Sequence, residues 1–395
     1  MLAMPPLLYL LATGNLVVGS AAFVISGLVT QIAEGLGISI TAAGLAMTAY
    51  ALATAVFAPL LVVWTGRWPR KRALLVALAL FTAGNALCAM AGNVGQLYAG
   101  RWLMGLGSMF TPVGAGLALA LVAPARRGQA LSTVFLGMSL SYVVGVPLGT
   151  WIGLNHGWQM ALWLMTAASA LMLLLAAWRL PADVQAPGAS LTGLAAVVKR
   201  AEVLTSLLIT LLYFTAIFTV FSYIGPVLAA LAPQGGLPLS WTLMVFGVAG
   251  VAGTVGGGAA ADRFGPRRTM QVLLGSLTVM MVLLPLTASH YPWMLAALVV
   301  WGCAGFGLMS PQQARLAQMA PQQAPMLLSL NTSMLYFGTA LGAAVGGPMA
   351  AVVGFERLPW VAAPFAVAAW ALLAFGARGA AVAGTALAQP LPDPK

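Results

Sequence analysis

The chain is 395 residues long, with 61% hydrophobic and only 6% charged residues. Together with a mean hydropathy of +0.98, this composition excludes a soluble globular protein and indicates a protein of the lipid bilayer. The formal net charge of +11 does not indicate a nucleic-acid partner, because so apolar a chain offers no soluble basic domain. Long uncharged stretches such as residues 73–92 exclude a transmembrane β-barrel and predict membrane-spanning α-helices.

Charged residues, proline and glycine clusters and polar interruptions divide the sequence into twelve apolar stretches, each long enough to cross a bilayer as a helix of about 20 residues. The first stretch has no Lys or Arg before it and no convincing cleavage site, so we expect a membrane helix there and not a removed signal peptide. In chain order, the predicted spans are residues 7–30, 41–64, 73–92, 97–121, 129–154, 159–180, 203–231, 239–261, 269–289, 292–314, 324–352 and 358–379. The predicted fold is an all-α membrane protein.

The longest interruption between predicted spans contains Pro181, Asp183, Pro187 and Gly188. Proline, glycine and charged residues at this density are typical of a linker. The sequence thus predicts four parts, which are an N-terminal six-helix bundle (1–180), a cytoplasmic linker (181–202), a C-terminal six-helix bundle (203–379) and a cytoplasmic tail (380–395).

The positive charges predict the orientation of the chain. If the N-terminus is cytoplasmic, fifteen of the 17 Lys and Arg residues fall in cytoplasmic connections or near the C-terminus, as the positive-inside rule requires. Of the other two, Arg357 falls in an outer connection and Arg101 falls within the fourth span. We therefore expect both termini to be cytoplasmic.

Two separate segments of the sequence repeat at nearly the same offset. The first match is at an offset of 196 residues and the second at 197; they pair Arg67, Lys71 and Arg72 with Arg263, Arg267 and Arg268, and Ser132, Gly145 and Gly149 with Ser329, Gly342 and Gly346. The repeat predicts two six-helix halves in the same orientation, related by a pseudo-two-fold axis along the membrane normal. A substrate site is expected where such halves meet.

Residues 258–268 follow the eighth span and read Gly-Ala-Ala-Ala-Asp-Arg-Phe-Gly-Pro-Arg-Arg. An aspartate beside a tight turn can accept hydrogen bonds from a helix N-terminus, while the arginines keep the connection in the cytoplasm. The matching segment after the second span has Gly66 in the position of Asp262, so we expect the second-half loop to supply more of the gating energy. The alternative is that both loops act only as topology signals.

Residues 137–149 of the fifth span include glycines four residues apart and an intramembrane proline, which let another helix approach closely and kink the span. With the loop above, this segment resembles the signatures of the major facilitator superfamily, and within it the twelve-helix drug and sugar efflux (arabinose-efflux-like) group. The resemblance extends over residues 7–379. It implies outward transport by alternating access, with gating by Asp262, Arg263, Arg267, Arg268, Gly145, Pro147 and Gly149.

A third segment, residues 97–107, carries Arg101 and resembles the fourth-helix signature of proton-coupled exporters. An arginine within a span is costly and marks a functional site by default; the alternative is that Arg101 extends to the outer interface. Efflux relatives carry an acidic residue in the first helix, where this chain has Ala22. None of the six acidic residues falls in a predicted membrane core, and both histidines fall in outer connections.

Two hypotheses for coupling follow. The resemblance implies proton antiport, for which Glu34, at the outer end of the first span, is the candidate partner of Arg101. Alternatively, the protein is a facilitator that lets its substrate run down its own gradient. The absence of a predicted intramembrane carboxylate leaves both hypotheses open.

A cavity with one arginine and no carboxylate disfavours cations and predicts a neutral or weakly anionic substrate, such as a sugar, a nucleoside or an amphenicol. Amide and phenol groups can hydrogen-bond such a solute while the rings add apolar contact. The alternative is that several of these groups link helices to one another. The candidate substrate-binding residues are Asn15, Ser26, Tyr50, Tyr142, Tyr213, Tyr223, Asn331 and Tyr336.

Other function classes fit less well. An intramembrane enzyme needs a nucleophile with a base or a cluster of ligands, and the sequence offers neither a buried histidine nor a buried acid. No cofactor, metal or nucleotide site is predicted. We expect a multi-pass protein of the cell inner (plasma) membrane, assuming a bacterial source, that acts as a monomer on a small solute and exchanges protons if it is coupled. A non-transporting membrane sensor or assembly protein on the same fold is the remaining alternative.

Overall fold

The computed structural model describes residues 6–123, 126–182, 184, 200–232, 236–320 and 323–386, and of residues 324–325 and 376–386 the backbone alone. Within these ranges every regular element is a helix, and twelve helices are long and apolar enough to cross a bilayer. The all-α fold with twelve spans that the apolar stretches predicted is confirmed.

The first six spans are numbered α1 to α6, and two of them consist of two segments, a and b. They are α1a (Pro6–Phe23) and α1b (Ile25–Leu36), α2 (Ile40–Trp64), α3 (Arg70–Ala89), α4a (Val94–Gly107) and α4b (Phe110–Ala120), α5 (Arg127–Leu140, a π-helical turn at Ser141–Gly145, and Val146–His156) and α6 (Trp158–Arg179).

The second six spans repeat this arrangement. They are α7a (Ala201–Phe221) and α7b (Ile224–Leu231), α8 (Leu239–Phe264), α9 (Pro266–Leu283), α10a (Tyr291–Gly307) and α10b (Met309–Met319), α11 (Ala324–Val353) and α12 (Leu358–Ala386). As in the first half, the first and fourth spans are interrupted near their middle.

The interruptions are where the structure departs from the predicted continuous helices. In α1, Val24 forms a turn between the two segments, and the helix then continues to Leu36 instead of ending near residue 30. In α7, Ser222 and Tyr223 separate the segments. Breaks of this kind release backbone carbonyls from the helical ladder, which other groups must then satisfy.

The helices pack as two bundles that meet along a few helices. In the first bundle α1 packs against α5 and α6; in the second, α7 packs against α11 and α12. The bundles meet where α2 packs on α11, α5 on α8, and α1b on α7b. We call the end with the α2–α3 and α8–α9 connections the basic end, because exposed arginines such as Arg67 and Arg263 lie there.

The bundles are joined by hydrogen bonds toward the end opposite the basic end. The Thr41 hydroxyl donates to the Gly347 carbonyl and the Thr48 hydroxyl donates to the Ala340 carbonyl, each at 3.1 Å. Gly44 of α2 lies directly against the Tyr223 ring, where any larger residue would overlap it. This junction, which we call the α2–α11 seam, closes that end of the protein.

The predicted linker is described only in part. The Arg70 backbone N–H donates to the Val184 carbonyl at 3.0 Å, so the chain after α6 returns to the start of α3. Asp183, Pro187, Gly188 and Lys199 lie outside the described residues, as do residues 387–395 of the predicted tail. The boundaries 1–180, 181–202, 203–379 and 380–395 stay a prediction.

Candidate functional site

Arg101 of α4a lies in the core of the first bundle with 0% of its surface exposed. Its guanidinium donates to the carbonyls of Ala21 at 3.1 Å, Ala22 at 2.6 Å and Ala46 at 3.2 Å. It also lies 4.6 Å from the centre of the Tyr50 ring, a cation–π contact. The alternative that Arg101 extends to the outer interface is therefore wrong.

These contacts brace the break in α1. Arg101 binds the carbonyls of Ala21 and Ala22, and the Ser26 hydroxyl donates to the Phe23 carbonyl at 2.7 Å, the last carbonyl before Val24. Two side chains thus take over acceptors that a continuous helix would satisfy itself. Ser26, predicted as a substrate ligand, is buried in this turn.

The expected pairing of Arg101 with Glu34 is not formed in this structure. Glu34 is exposed near the end of α1b, whereas the partners of Arg101 are three carbonyls, a ring and two methionine sulfurs. The physical reason is that the broken α1 offers carbonyl acceptors close to the guanidinium. One of them is the carbonyl of Ala22, the residue at the position where efflux relatives carry an acid. Arg101 keeps its charge satisfied by backbone dipoles.

Three of the predicted tyrosines lie where the two bundles meet. The Tyr50 and Tyr336 rings, one from each bundle, have centroids 6.2 Å apart and are edge-to-face at 79°. Tyr142, at the π-helical turn of α5, stacks on Phe23 at 5.2 Å and contacts Phe306 of the other bundle at 4.7 Å. The structure therefore brings Tyr50, Tyr142 and Tyr336 to the interface, as predicted.

Sequence reasoning missed the phenylalanines that complete this region. We define the aromatic cluster as the rings near the midpoints of the spans that touch one another across the interface, namely Phe23, Tyr142, Phe218, Phe221 and Phe306. The signal that could have found it is the spacing in α7, where Phe214, Phe218 and Phe221 recur at helical intervals.

The space beside the aromatic cluster is small in this conformation. A cavity of about 10 Å³, close to what one water molecule needs, lies between the bundles and is lined by Ser139, Tyr142, Gly247, Gly250, Val251, Thr254 and Phe306. A larger cavity of about 500 Å³ lies between α9 and α10. Its lining residues Leu286 and Trp293 are 66% and 69% exposed, so it faces outward from the bundle and we do not assign it to the substrate.

Asn15 does not face the interface but ties helices within the first bundle. It is 0% exposed; its amide donates to the Val134 carbonyl at 3.0 Å and accepts from the Thr111 hydroxyl at 2.8 Å. These two hydrogen bonds, which we call the Asn15 tie, join α1, α4 and α5. For Asn15 the structure favours the alternative that the polar group links helices.

Asn331 belongs to the equivalent tie in the second bundle, which joins α7, α10 and α11. Its amide oxygen accepts from Thr210 at 2.6 Å, and the Gln312 amide donates to the Thr210 hydroxyl at 2.8 Å. The Asn331 oxygen and the Gln312 amide nitrogen are therefore bonded within the bundle, whereas the Gln312 amide oxygen is buried without a partner. Thr111, Thr210 and Gln312 are hydrogen-bond partners of these asparagine ties that the sequence reasoning missed.

The remaining predicted ligands are also engaged or buried. The Tyr223 hydroxyl donates to the Ala343 carbonyl at 2.9 Å, and its ring lies in the α2–α11 seam against Gly44. Tyr213 is 1% exposed, with its ring 4.8 Å from that of Phe214. These two tyrosines are thus not brought together with Tyr50, Tyr142 and Tyr336.

The α5 motif packs against α1 of its own bundle. A methyl group at Gly145 would overlap the Ser20 side chain, and one at Gly149 would overlap Val24 at the α1 break. Gly342 and Gly346 of α11 touch α7 in the same way, at Thr215 and Thr219. Pro147 follows the π-helical turn, in the first turn of the last segment of α5. The close approach inferred from the glycine spacing is present; their role in gating stays a prediction.

The α8–α9 connection turns at Gly265, whose φ of 84° lies in the region that glycine favours. Arg267 donates to the Ala374 carbonyl of α12 at 3.1 Å, and the Arg263 guanidinium lies 5.2 Å from the centre of the Phe264 ring. Asp262 and Arg268 are exposed. Within the described residues, no group of three or more His, Cys, Asp or Glu side chains could hold a metal ion.

Comparisons with known proteins agree with this architecture. The chain is 32% identical over 370 residues to the inner membrane transport protein YdhP of Escherichia coli K12, covering 93% of this chain and 95% of the relative. It is also 32% identical over 348 residues to a chloramphenicol resistance protein of Streptomyces lividans, covering 86% and 88%. A crystal structure of a D-xylose–proton symporter shares the fold, with a TM-score of 0.74 at 17% identity and coverage of 94% and 97%.

A family model described as Major Facilitator Superfamily matches residues 11–324 and 239–391. With twelve helices that could span the membrane and a relative named for the inner membrane, the protein is a multi-pass protein of the inner membrane. The matches and the fold show that this chain belongs to the major facilitator superfamily of transporters.

Proposed function

We propose that this transporter exports a small neutral or weakly anionic organic solute, such as a sugar, a nucleoside or an amphenicol-type drug. The observation that carries the proposal is the meeting of tyrosine and phenylalanine rings from both bundles near the midpoints of the spans. Sites of transporters with two repeated halves are expected at that depth. The Streptomyces lividans relative, named for chloramphenicol resistance, supports outward transport of an amphenicol.

The charge of the solute follows from the groups that can meet it. Glu34, Glu202 and Asp262 are exposed at helix ends, and the partly exposed Glu356 lies in the connection between α11 and α12. None of these described carboxylates is available within the spans to bind a cation. The buried Arg101 is committed to carbonyls. Hydroxyl groups and rings are left for recognition, which suits an uncharged solute.

Alternating access is the proposed mechanism. The two bundles would rock about their interface, and the α2–α11 seam would part when the basic end closes. We propose that Asp262, Arg263, Arg267 and Arg268, with the α5 motif of Gly145, Pro147 and Gly149, gate the basic end. The positive-inside rule supports a cytoplasmic basic end and cytoplasmic termini. We propose a monomer.

A proton-independent facilitator is the second candidate, against the proton coupling that the family resemblance implies. It is favoured by the position of Glu34, which is exposed and does not pair with Arg101. Carboxylate and histidine side chains are the groups that exchange protons near neutral pH, and the described ones lie at helix ends or connections.

Solute flux into liposomes under an imposed pH gradient tests both candidates. If protons drive transport through Glu34, the Glu34→Gln protein loses its response to the gradient while the parent responds. If the parent ignores the gradient but still gives saturable flux, the facilitator is supported. A non-transporting sensor or assembly protein predicts binding of the solute without any flux.

A further inference from the structure

We infer that the solute carries a neutral aromatic ring, which takes the place of ring–ring contacts between the two bundles when they move apart. The inference rests on the proposed function and specifies its substrate class. Phe23 and Tyr142 of the first bundle touch Phe218, Phe221 and Phe306 of the second at centroid distances of 4.7 to 6.5 Å.

These contacts have the geometries that aromatic pairs prefer. Tyr142 meets Phe306 edge-to-face at 75°, and Phe23 meets Phe221 edge-to-face at 73°. Such pairs contribute beyond the area they bury. When the bundles separate, each ring loses its partner from the other bundle and exposes an apolar face. An aromatic ring of the solute restores contacts of the same kind.

The small cavity beside the cluster agrees with this exchange. Its volume of about 10 Å³ is far below that of any ring, so a solute can bind there only if lining residues such as Tyr142 and Phe306 move apart. Gly250 of α8 supplies the clearance on one side, since a methyl group there would overlap the Phe306 ring. Parting the rings therefore couples occupancy of the site to movement of the bundles.

Polar recognition at this depth is too sparse for a sugar alone. Sugars are usually held by several amide or carboxylate groups, but Asn15, Gln312 and Asn331 each form hydrogen bonds within one bundle. None of the three lines the cavity beside the cluster, and the Gln312 amide oxygen, which has no partner, is buried. The hydroxyls of Ser139, Tyr142 and Thr254 remain at the cavity, and that of Thr254 donates to the Gly250 carbonyl. Ring contact must then supply most of the affinity.

The charged groups within reach of the cluster determine which charge the ring can carry. An anionic ring would need a free cation beside the cluster, and Arg101 is 0% exposed with three carbonyl partners. The Nη1 of Arg315 is buried without a partner, but Arg315 lies in α10b, nine residues beyond Phe306, which is about 13 Å along the helix. A cationic ring would need a carboxylate, and the described acids lie at helix ends or connections. A neutral aryl group is the remaining class.

The test is binding of two glucosides that differ only in the aryl group, 4-nitrophenyl β-D-glucoside and methyl β-D-glucoside, to the purified full-length protein by calorimetry. We expect the aryl compound to bind roughly tenfold or more tightly, from the added ring burial. Phe306→Leu should reduce aryl binding about fivefold or more and reduce methyl glucoside binding by a smaller factor, because only the aryl compound loses a ring–ring contact. Phe135→Leu, on the same helix as Tyr142 but 45% exposed, is the matched control and should change neither.

Equal affinities for the two glucosides, or equal effects of Phe306→Leu and Phe135→Leu on aryl binding, would overturn the inference while leaving transport of a sugar intact. Failure of both glucosides to bind the folded protein would also overturn it. The proposed function fails separately, if liposomes containing the protein show no flux of any solute in the neutral series. A circular-dichroism spectrum and a melting curve for each variant show that it is folded.

Discussion

Arg101 shows how a single buried charge can be held without an acid. Its guanidinium lies in the bundle core and is satisfied by the carbonyls of Ala21, Ala22 and Ala46, from two other helices. The sequence predicted that an arginine in a span must have a purpose. The sequence could not predict the partners of Arg101, because every residue type has a backbone carbonyl and a helix break therefore has no characteristic residue to identify it. Arg101 is thus a structural brace for the α1 break as well as a neighbour of the interface.

Arg101→Leu is expected to destabilise the folded protein by about 2–4 kcal/mol, because it leaves buried carbonyls without a donor. The measurement is the unfolding midpoint in detergent. Arg67→Leu, at an exposed position in the α2–α3 connection, is the control and should shift the midpoint little. If both variants unfold alike, the carbonyl contacts of Arg101 do not stabilise the bundle.

Asn331→Ala is expected to lower stability by about 1–3 kcal/mol, since it leaves the Thr210–Gln312 pair incomplete. The KM for transported solute should not change, because the amide is engaged within its bundle. Tyr142→Leu, in the aromatic cluster, should instead raise KM. If Asn331→Ala raises KM as much as Tyr142→Leu does, Asn331 contributes to the substrate site.

At the scale of helices, the apolar stretches predicted all twelve spans. A helix that crosses the bilayer needs about 20 consecutive apolar residues, and a run of that length is visible in the hydropathy of the sequence. The interruptions were less accessible. The α7 break precedes Pro226, which has no N–H to bond Ser222 and so marks the break in the sequence. The break at Val24 has no proline beside it, and Arg101 and Ser26, which satisfy the released carbonyls, lie far apart in the sequence.

The glycines of α5 give a prediction at this scale. Gly145→Ala should destabilise the protein by about 1–3 kcal/mol, because the added methyl group would overlap Ser20 of α1. Gly116→Ala, also within a helix but with no heavy atom within 4 Å of the added carbon, should be neutral or stabilising by up to about 1 kcal/mol. The measurement is the melting curve of each variant. Equal midpoints would mean that α1 can move away from α5 at little cost in free energy of unfolding.

For the whole molecule, the repeat in the sequence predicted two bundles of equal size, and matched ties at Asn15 and Asn331 agree with it. The interface was predicted only in part. Tyrosines could be guessed as interfacial, but the phenylalanine contacts and the α2–α11 seam depend on how the bundles dock. No periodicity within one helix carries that information.

Replacing Gly44 with valine should hold the α2–α11 seam open, because the side chain would occupy the space of the Tyr223 ring. Spin labels on exposed Ser39 and partly exposed Glu356, at that end of the two bundles, should report a longer distance in Gly44→Val than in the parent. Gly256→Val, with open space around the glycine, is the control. Identical distance distributions in all three proteins would show that the seam does not govern closure of this end.

The most direct measurement is the flux of a neutral aromatic solute into liposomes that contain the purified protein, compared with protein-free liposomes, with and without a pH gradient. The account predicts saturable flux that follows the solute gradient, is reduced by Phe306→Leu and is unaffected by Phe135→Leu. Flux no greater than in protein-free liposomes, from protein that remains folded after reconstitution, would contradict transport of a neutral aromatic solute through the aromatic cluster.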